Sequence, residues 1–297
     1  MLDLYQSGAF PRKLLNIVLT NLLLKVYIIL IMKRYTSSFL IKQIPKINDL
    51  FVSINENKKI LFNKRENSFL HNNANINSIE NFYEIFKLDD TSIFLTSTIN
   101  SLDEDQVYLS KKELYPYLDE ESLTIVSRAF QIFDWIYNQN YCSRTGNKLT
   151  SVKEDLSKIC ESSSKVYFPK MSPCILVIVT YKNELLLVRH NNEIRTLYTA
   201  IAGFVDLGES LEECVEREVY EEVGLRIKNI NYVGSQSWPF PNQLMMAFQA
   251  EAISKDVLID EKEILEASWF KPTDIPKIPP EPSLSNLLIK KAINSLI

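Results

Sequence analysis

The chain has 297 residues, a hydrophobic fraction of 46%, a charged fraction of 24% and a formal net charge of −4. These values are typical of a globular protein with one large or two modest domains, and the acidic balance argues against bulk nucleic-acid binding through a basic surface. With only two histidines, His71 and His190, the chain also has little room for histidine-based catalysis.

The amino terminus contains a strongly apolar segment, residues 14–32, which follows Arg12 and Lys13 and is about long enough to cross a bilayer. Three interpretations of the extension 1–32 remain open: translation truly starts at Met32, the segment is a membrane anchor, or it forms a buried helix. We expect the start at Met32. The scattered cysteines, with no secretory context, favour a reducing compartment, so we also expect a cytoplasmic location rather than membrane anchoring.

Residues 33–140 are predicted to form a smaller N-terminal α+β domain. Short apolar runs alternate there with polar residues, which is typical of short strands; the clearest runs are residues 39–41, 50–52 and 92–95. Residues 71–75 predict a polar loop, because asparagine dominates them. Apolar residues at helical spacing over residues 119–138 predict a helix. The stretch that follows, residues 141–171, is rich in serine and lysine and is predicted to be a connector.

Residues 172–297 are predicted to form an α/β layered domain. Apolar runs at residues 174–179 and 184–188 flank Lys182 and Asn183, which is a strong β-hairpin pattern. Downstream, predicted strands alternate with one clear helix, and a proline-rich loop precedes a final helix over residues 283–296.

The clear helix follows Ser210 and Glu213, which have the spacing of a capping box, and ends at Gly224. Its apolar residues recur every four positions, at Leu211, Val215, Val219 and Val223.

A cluster of carboxylates lies away from that apolar stripe. Glu218 and Glu222 are one helical turn apart, and Glu221 is adjacent. Like charges at this spacing repel each other, so a divalent cation such as Mg²⁺ or Mn²⁺ would stabilise them, and such ions also bind substrate phosphates. Arg217 can pair with Glu209 or Glu221 and hold the carboxylates in place. A solvated acidic helix face is the usual explanation of such a charge run.

The spacing of the fixed positions favours a more specific interpretation. The chain fits G-x5-E-x7-R-E-U-x-E-E-x-G-U, where U is aliphatic, at Gly203, Glu209, Arg217, Glu218, Glu221, Glu222 and Gly224. This segment resembles the signature of the Nudix hydrolases. The resemblance implies an α/β/α sandwich with a mixed sheet, catalytic roles for Glu218, Glu221 and Glu222, and metal binding by Glu218 and Glu222. It does not assign the glutamate that accepts the proton of the attacking water.

Residues 235–245 resemble the S-Q-P-W-P-F-P-x-S signature of the NADH pyrophosphatase subfamily, except at Ser237 and Gln243. We expect them to form a stiff loop, loosened slightly because Ser237 replaces a proline. By resemblance Glu263 supplies a further metal carboxylate. The implied substrate contacts are Phe168, Phe204, Gln236, Trp238, Pro239, Phe240, Gln243, Met245 and Ser285.

The subfamily has two C-x-x-C pairs between its domains. Here the corresponding positions are Cys142 with Thr145 and Cys160 with Ser163, so each pair lacks one thiol. Hydroxyl groups are poor zinc ligands, and we therefore predict a degenerate zinc-ribbon connector without structural zinc. The resemblance also implies a homodimer.

These patterns together favour hydrolysis of the pyrophosphate of NADH or NAD to nicotinamide mononucleotide and AMP, with NAD-capped RNA as a larger substrate. A Nudix hydrolase of ADP-ribose or another nucleoside diphosphate derivative is the alternative within the family, and the Trp-Pro-Phe-Pro run argues against it. A catalytically silent Nudix binding module is the alternative of another class, and the complete set of glutamates argues against that.

Overall fold

The computed structural model describes residues 36–41, 45–72, 82–88, 91–97, 102–191, 196–240 and 242–297. The apolar segment 14–32 therefore lies outside the described residues. Within the described ranges, no helix is long and apolar enough to span a membrane. The chain divides into two compact units, Met1–Tyr108 with Lys153–Leu156, and Leu109–Val152 with Ser157–Ile297.

The first unit is built on a five-stranded sheet with the order β1-β5-β6-β2-β4. Its strands are β1 (Thr36–Ile41), β2 (Leu50–Ser53), β4 (His71–Asn72), β5 (Phe82–Leu88) and β6 (Thr91–Thr96), and a separate pair joins β3 (Ile60–Asn63) to β7 (Gln106–Leu109). The strands predicted around residues 39–41, 50–52 and 92–95 are confirmed. Stacked rings of Phe51 and Phe94, with centroids 5.5 Å apart, lie in its core.

The polar loop predicted over residues 71–75 is wrong at its start. His71 belongs to strand β4, is 3% exposed, and its Nε2 lies 3.2 Å from the carbonyl oxygen of Leu61. The asparagines that follow His71 are typical of loops and led to the wrong prediction. In the structure, His71 and Asn72 pair with Phe51 and Leu50, so the sheet extends into this polar stretch. Residues 73–75 lie outside the described residues.

The second unit begins with helical segments: α1 (Lys111–Leu114), a 3-10 turn (Tyr115–Tyr117), α2 (Glu120–Phe133) and a π-helical turn (Asp134–Asn138). Asp119 caps α2 by accepting a hydrogen bond from the Ser122 N–H at 2.8 Å. The helix predicted over residues 119–138 is therefore confirmed. It clusters with the second unit, whereas its sequence position suggested the N-terminal domain, and the domain boundaries at 140 and 171 stay a prediction.

The connector contains the short hairpin of β8 (Lys158–Cys160) and β9 (Lys165–Tyr167). Cys142 Sγ lies 3.9 Å from Ser163 Oγ, and Cys160 Sγ lies 3.4 Å from Thr145 Oγ1. The four positions that correspond to zinc ligands in the subfamily thus lie together, and hydroxyl groups occupy two of them.

A mixed six-stranded sheet forms the centre of the second unit, with the order β13-β14-β10-β11-β15 and with β12 paired to β10. The strands are β10 (Ser172–Tyr181), β11 (Glu184–His190), β12 (Ile201–Phe204), β13 (Ile227–Pro239), β14 (Asn242–Ala252) and β15 (Ile264–Phe270). Strands β10 and β14 run parallel, whereas the other pairings are antiparallel. The hairpin predicted at Lys182 and Asn183 is confirmed, and Lys182 has a φ of 53° in its turn.

Two helices, α3 (Leu211–Val223) and α4 (Leu284–Leu296), cover opposite faces of this sheet. Ile175 and Val177 of β10 pack with the apolar stripe of α3, whereas Leu176 and Ile178 pack with α4. This alternation arises because successive residues of a strand point to opposite faces. The predicted α/β/α sandwich with a mixed sheet is confirmed.

Candidate active site

Helix α3 forms as the sequence predicts, and it carries the three candidate catalytic glutamates. Ser210 and Glu213 make the reciprocal hydrogen bonds of a capping box, and Gly224 ends the helix in the left-handed region with a φ of 69°. Although the whole helix is acidic, Glu218 and Glu222 are 9% and 3% exposed, whereas the side chain of Glu221 is 59% exposed. The solvated-face explanation therefore fails for Glu218 and Glu222.

The buried position of Glu218 depends on a glycine in the neighbouring strand β12. A β-carbon at Gly203 would lie 1.8 Å from Cδ and 2.0 Å from Oε1 of Glu218, which is far inside van der Waals contact. The missing side chain at Gly203 thus gives the carboxyl group its space against the sheet.

Arg217 holds the carboxylates in a hydrogen-bonded network, as the sequence predicted. Its Nη1 donates to Glu218 Oε1 and to Glu221 Oε2, both at 2.9 Å. Its Nε and Nη2 donate to Glu209, and Nη2 also donates to the carbonyl oxygen of Phe204 at 3.0 Å. Hydrogen bonds from Arg217 lower the pKa of Glu209 to about 2, so that carboxylate stays charged and fixes the guanidinium.

Glu222 lies at the least compensated position of the cluster. Its Oε2 is buried and has no hydrogen-bond partner. Burial, with the charges of Glu218 and Glu263, raises the pKa of Glu222 to about 8. Burial likewise raises the pKa of Glu218, against the opposing effect of Arg217. An unpaired buried carboxylate beside two others is costly, and a divalent cation is the partner that this oxygen donor set suits.

Glu263, which precedes β15, is the candidate carboxylate from outside α3. Its backbone N–H donates to Asp260 at 3.1 Å and its carbonyl accepts from Asn191, so the turn is well anchored. Among the described residues, no group of three or more Asp, Glu, His or Cys side chains forms a ready-made metal cage. Carboxylate oxygens are the donors that Mg²⁺ and Mn²⁺ prefer, and the chemistry of the side chains alone makes Glu263 a candidate.

The segment predicted as a stiff loop is instead the end of a hairpin. Residues through Pro239 belong to β13, and β14 resumes at Asn242, so the loop prediction is wrong for Gln236, Trp238 and Pro239. The two prolines favoured the loop prediction, because proline usually interrupts strands. Pro239 is tolerated here because it is the last residue of β13, paired with Asn242, where a missing backbone N–H costs little. Trp238 contacts Phe240 with ring centroids 5.0 Å apart.

Register brings several of the predicted substrate contacts into one row across the sheet. Cys174 of β10 pairs with Phe204 on one side and with Met245 on the other, and Met245 pairs with Gln236. Paired residues of neighbouring strands point to the same face, so Phe204, Met245 and Gln236 share a face. Cys174 was not singled out by the sequence, since an isolated cysteine in an apolar strand shows no pattern.

Gln236 joins this row to the start of helix α4. Its Nε2 donates to the Pro282 carbonyl at 2.8 Å, and its Oε1 accepts from the Leu284 N–H at 2.9 Å. Ser285, the predicted contact on α4, has its hydroxyl 2.8 Å from that of Thr199. Both polar groups of the Gln236 amide are therefore occupied by the backbone, and its part is to fix the hairpin to α4.

The remaining predicted contacts differ in exposure. Phe168 and Phe204 are 53% and 52% exposed, so both rings are available for stacking. Gln243 is 8% exposed and faces Trp238 across the hairpin. The structure thus groups the hairpin residues with Phe204, and it places the exposed ring of Phe168 directly after β9.

The fold and the glutamate helix together define a Nudix hydrolase: residues 170–289 match the NUDIX domain family, and the chain belongs to this family. Among curated relatives, the NAD-capped RNA hydrolase NudC of Escherichia fergusonii is 38% identical over 176 residues, which cover 59% of this chain and 68% of the relative. The protein of the same name from Shigella flexneri gives the same values. The resemblance to the NADH pyrophosphatase subfamily is confirmed by these relatives.

Among solved structures, a NUDIX hydrolase from Nitrosomonas europaea superposes with a TM-score of 0.46 at 22% sequence identity, covering 52% of this chain and 91% of that one.

Proposed function

We propose that the protein hydrolyses the pyrophosphate of NADH or NAD, adding water across one P–O–P linkage to release nicotinamide mononucleotide and AMP. The observation that carries the proposal is the buried pair Glu218 and Glu222, of which Glu222 Oε2 has no partner. A family member without catalytic activity would have no use for a destabilising arrangement of this kind.

The proposed cofactor is Mg²⁺ or Mn²⁺, held by Glu218 and Glu222 with Glu263 completing the set. When bound, the cation would neutralise the diphosphate and lower the pKa of the attacking water. The protein contributes the geometry. Gly203 gives Glu218 its place, and Arg217 orients Glu218 and Glu221 through hydrogen bonds at 2.9 Å. Glu221 is the exposed member of the three glutamates. We include it among the catalytic residues because its carboxylate binds the same Nη1 of Arg217 as Glu218 does.

Aromatic side chains are proposed to select the substrate, because the diphosphate itself is common to many nucleotides. Phe168 and Phe204 offer exposed rings, and Trp238 with Phe240 offers a rigid aromatic pair on the hairpin. Stacking on such rings is worth about 1–3 kcal/mol per base. Gln236, Pro239, Gln243, Met245 and Ser285 position or line this part of the site.

NAD-capped RNA is the second proposed substrate. Its terminal pyrophosphate is chemically that of NAD, and the relatives at 38% identity are named for hydrolysis of this RNA end. The net charge of −4 offers no added affinity for the rest of an RNA chain, so we expect recognition of the cap itself.

The assembly and domain organisation are further proposals. We propose a homodimer in the cytoplasm, an N-terminal α+β domain at 33–140, a connector without zinc at 141–171 and a hydrolase domain at 172–297. Light scattering of the purified protein tests the dimer: a mass of about twice 34.4 kDa supports it, and a monomer at micromolar concentration contradicts it.

The metal-site proposal is tested by Glu222→Gln, with Glu216→Gln as the matched control on the exposed side of the same helix. We expect kcat for NADH to fall by about three orders of magnitude in Glu222→Gln and to stay near wild type in Glu216→Gln. Excess EDTA should abolish turnover, and added Mg²⁺ or Mn²⁺ should restore it. Wild-type turnover in Glu222→Gln, or full activity in EDTA, contradicts the proposal.

A further inference from the structure

The aromatic hairpin end is held from the side by the helical segments that open the second unit. Helix α1 supplies Lys111, whose Nζ donates a hydrogen bond to the Pro239 carbonyl at 2.6 Å. That carbonyl belongs to the residue between Trp238 and Phe240. The lysine therefore binds the backbone at the point from which both rings project.

The same ammonium group also contacts aromatic faces. Lys111 Nζ lies 4.4 Å from the ring centroid of Phe130 on α2 and 5.7 Å from that of Phe240 on the hairpin. Both distances are within the range in which a cation is attracted to an aromatic ring. Lys111 thus links α1, α2 and the hairpin through one charged group.

Two further contacts join the helices to the hairpin rings and backbone. Tyr115, in the turn after α1, packs edge-on against Trp238 and Phe240, with centroids 5.7 and 6.3 Å away. Helix α2 reaches Ser237 twice, because Gln131 Nε2 donates to its hydroxyl at 2.9 Å and the Ser127 hydroxyl donates to its carbonyl at 3.3 Å. The looser hairpin expected from Ser237 is therefore offset by the hydrogen bond from Gln131 to the Ser237 hydroxyl, which a proline side chain could not accept.

We infer that Lys111 is a positioning residue for substrate selection, acting through the Pro239 carbonyl to fix the Trp238 and Phe240 rings. This inference rests on the proposed function, in which Trp238 stacks on one end of the dinucleotide. The contacts of Lys111 described above are made with the hairpin and with α2, so its removal should alter substrate binding and leave the chemical step intact.

The test is a double-mutant cycle with NADH as substrate, combining Lys111→Met and Trp238→Ala. Lys111→Met keeps an unbranched chain and removes the charge and its N–H donors. Lys111→Met alone should raise KM about three- to tenfold with kcat near the wild-type value. Lys111→Arg, which keeps the charge, should have a KM close to that of the wild type. Lys112→Met is the matched control, since the neighbouring Lys112 is exposed, and it should change nothing.

In the Trp238→Ala background, Lys111→Met should change kcat/KM by less than about twofold, because the ring that it positions is already absent. A full additional loss in that background would show that Lys111 acts independently of Trp238 and would overturn the inference. Unchanged KM in the folded Lys111→Met protein would overturn it as well. The experiment separates failure of the proposed function from failure of this inference. If Trp238→Ala leaves NADH kinetics unchanged, the proposed substrate contact is wrong. If Trp238→Ala has an effect and Lys111→Met has none, only the positioning role of Lys111 is wrong.

Thermal melts of the wild type and of every variant show whether each protein is folded at the assay temperature. Should Lys111→Met unfold, Lys111→Gln provides a second route, because it removes the charge of the same residue and keeps a polar side chain. The same non-additivity with Trp238→Ala is then expected, and additivity contradicts the positioning role.

Discussion

The carboxyl group of Glu218 occupies the space that a side chain at Gly203 would need. The two residues lie on different elements, strand β12 and helix α3, and a β-carbon at Gly203 would be 1.8 Å from Glu218 Cδ. This β-carbon would meet a buried carboxylate that Arg217 holds by a hydrogen bond. Relieving the clash would therefore move Glu218 out of the carboxylate cluster.

Gly203→Ala should therefore lower kcat for NADH by at least about a hundredfold, since displacing a reacting group by about 1 Å has an effect of that size. Overpacking should also lower the free energy of unfolding by about 1–3 kcal/mol. Gly234→Ala is the control, because a β-carbon there meets no atom within 4 Å. Equal activity of the two variants would show that the close approach has no catalytic importance.

The pH dependence of the first unit should show the buried state of His71. Burial lowers its pKa below the ordinary 6.5, so the unfolded chain binds a proton at a higher pH than the native chain does. Stability from the neutral ring is thus fully present above pH 6.5 and is lost as the pH falls from there through the lower pKa of folded His71.

Two histidines make the measurement direct, since a proton NMR titration has only His71 and His190 to distinguish, and His190→Gln assigns them. We expect His71 to titrate below 6.5. Urea unfolding at pH 7.5 and at about pH 5.5 should show a smaller acid-side loss in His71→Gln than in wild type. A pKa of His71 at or above its ordinary value contradicts this account.

The connector should bind no zinc in the wild-type protein and should gain a zinc site when its two missing thiols are restored. With hydroxyl groups at Thr145 and Ser163, elemental analysis should find well under one zinc per chain in the purified protein. The double variant Thr145→Cys, Ser163→Cys should bind about one zinc, because those hydroxyls already lie 3.4 Å from Cys160 and 3.9 Å from Cys142. Tightly bound zinc in the wild-type protein would overturn the first expectation, and a zinc-free double variant would overturn the second.

Ser237 offers a test of why this chain tolerates the loss of the subfamily proline. Ser237→Ala removes the hydroxyl that accepts from Gln131 at 2.9 Å, and we expect the free energy of unfolding to fall by about 1 kcal/mol. Ser235→Ala is the control on an exposed position of the same strand. Equal stability of the two variants would show that the hydrogen bond to α2 contributes nothing measurable.

Much of the hydrolase domain could be predicted because the relevant patterns are local. The caps, apolar repeat and glutamates of α3 lie within one short stretch, and the turn at Lys182 needs only its flanking strands. Long-range contacts could not be predicted in the same way. The hydrogen bond between Lys111 and Pro239 spans 128 residues of sequence, and no pattern near Lys111 distinguishes it from the exposed Lys112.

The errors have the same origin. Ser235 to Pro239 carry loop-forming residues, yet pairing with β14 makes them a strand, and His71 lies in a polar stretch that Leu50 and Phe51 draw into a sheet. Tertiary pairing overrides local propensity in both places.

Product analysis with a panel of substrates shows whether the chain cleaves the pyrophosphate of a nicotinamide dinucleotide. Purified protein is incubated with Mg²⁺ or Mn²⁺ and with NADH, NAD⁺, ADP-ribose or NAD-capped RNA at equal concentrations, with Glu222→Gln as the inactive control. We expect nicotinamide mononucleotide and AMP from the dinucleotides, and a kcat/KM at least about tenfold higher than that for ADP-ribose, since ADP-ribose lacks one stacking base. Much faster cleavage of ADP-ribose than of NADH or NAD⁺, or no metal-dependent cleavage of either cofactor, would contradict the account.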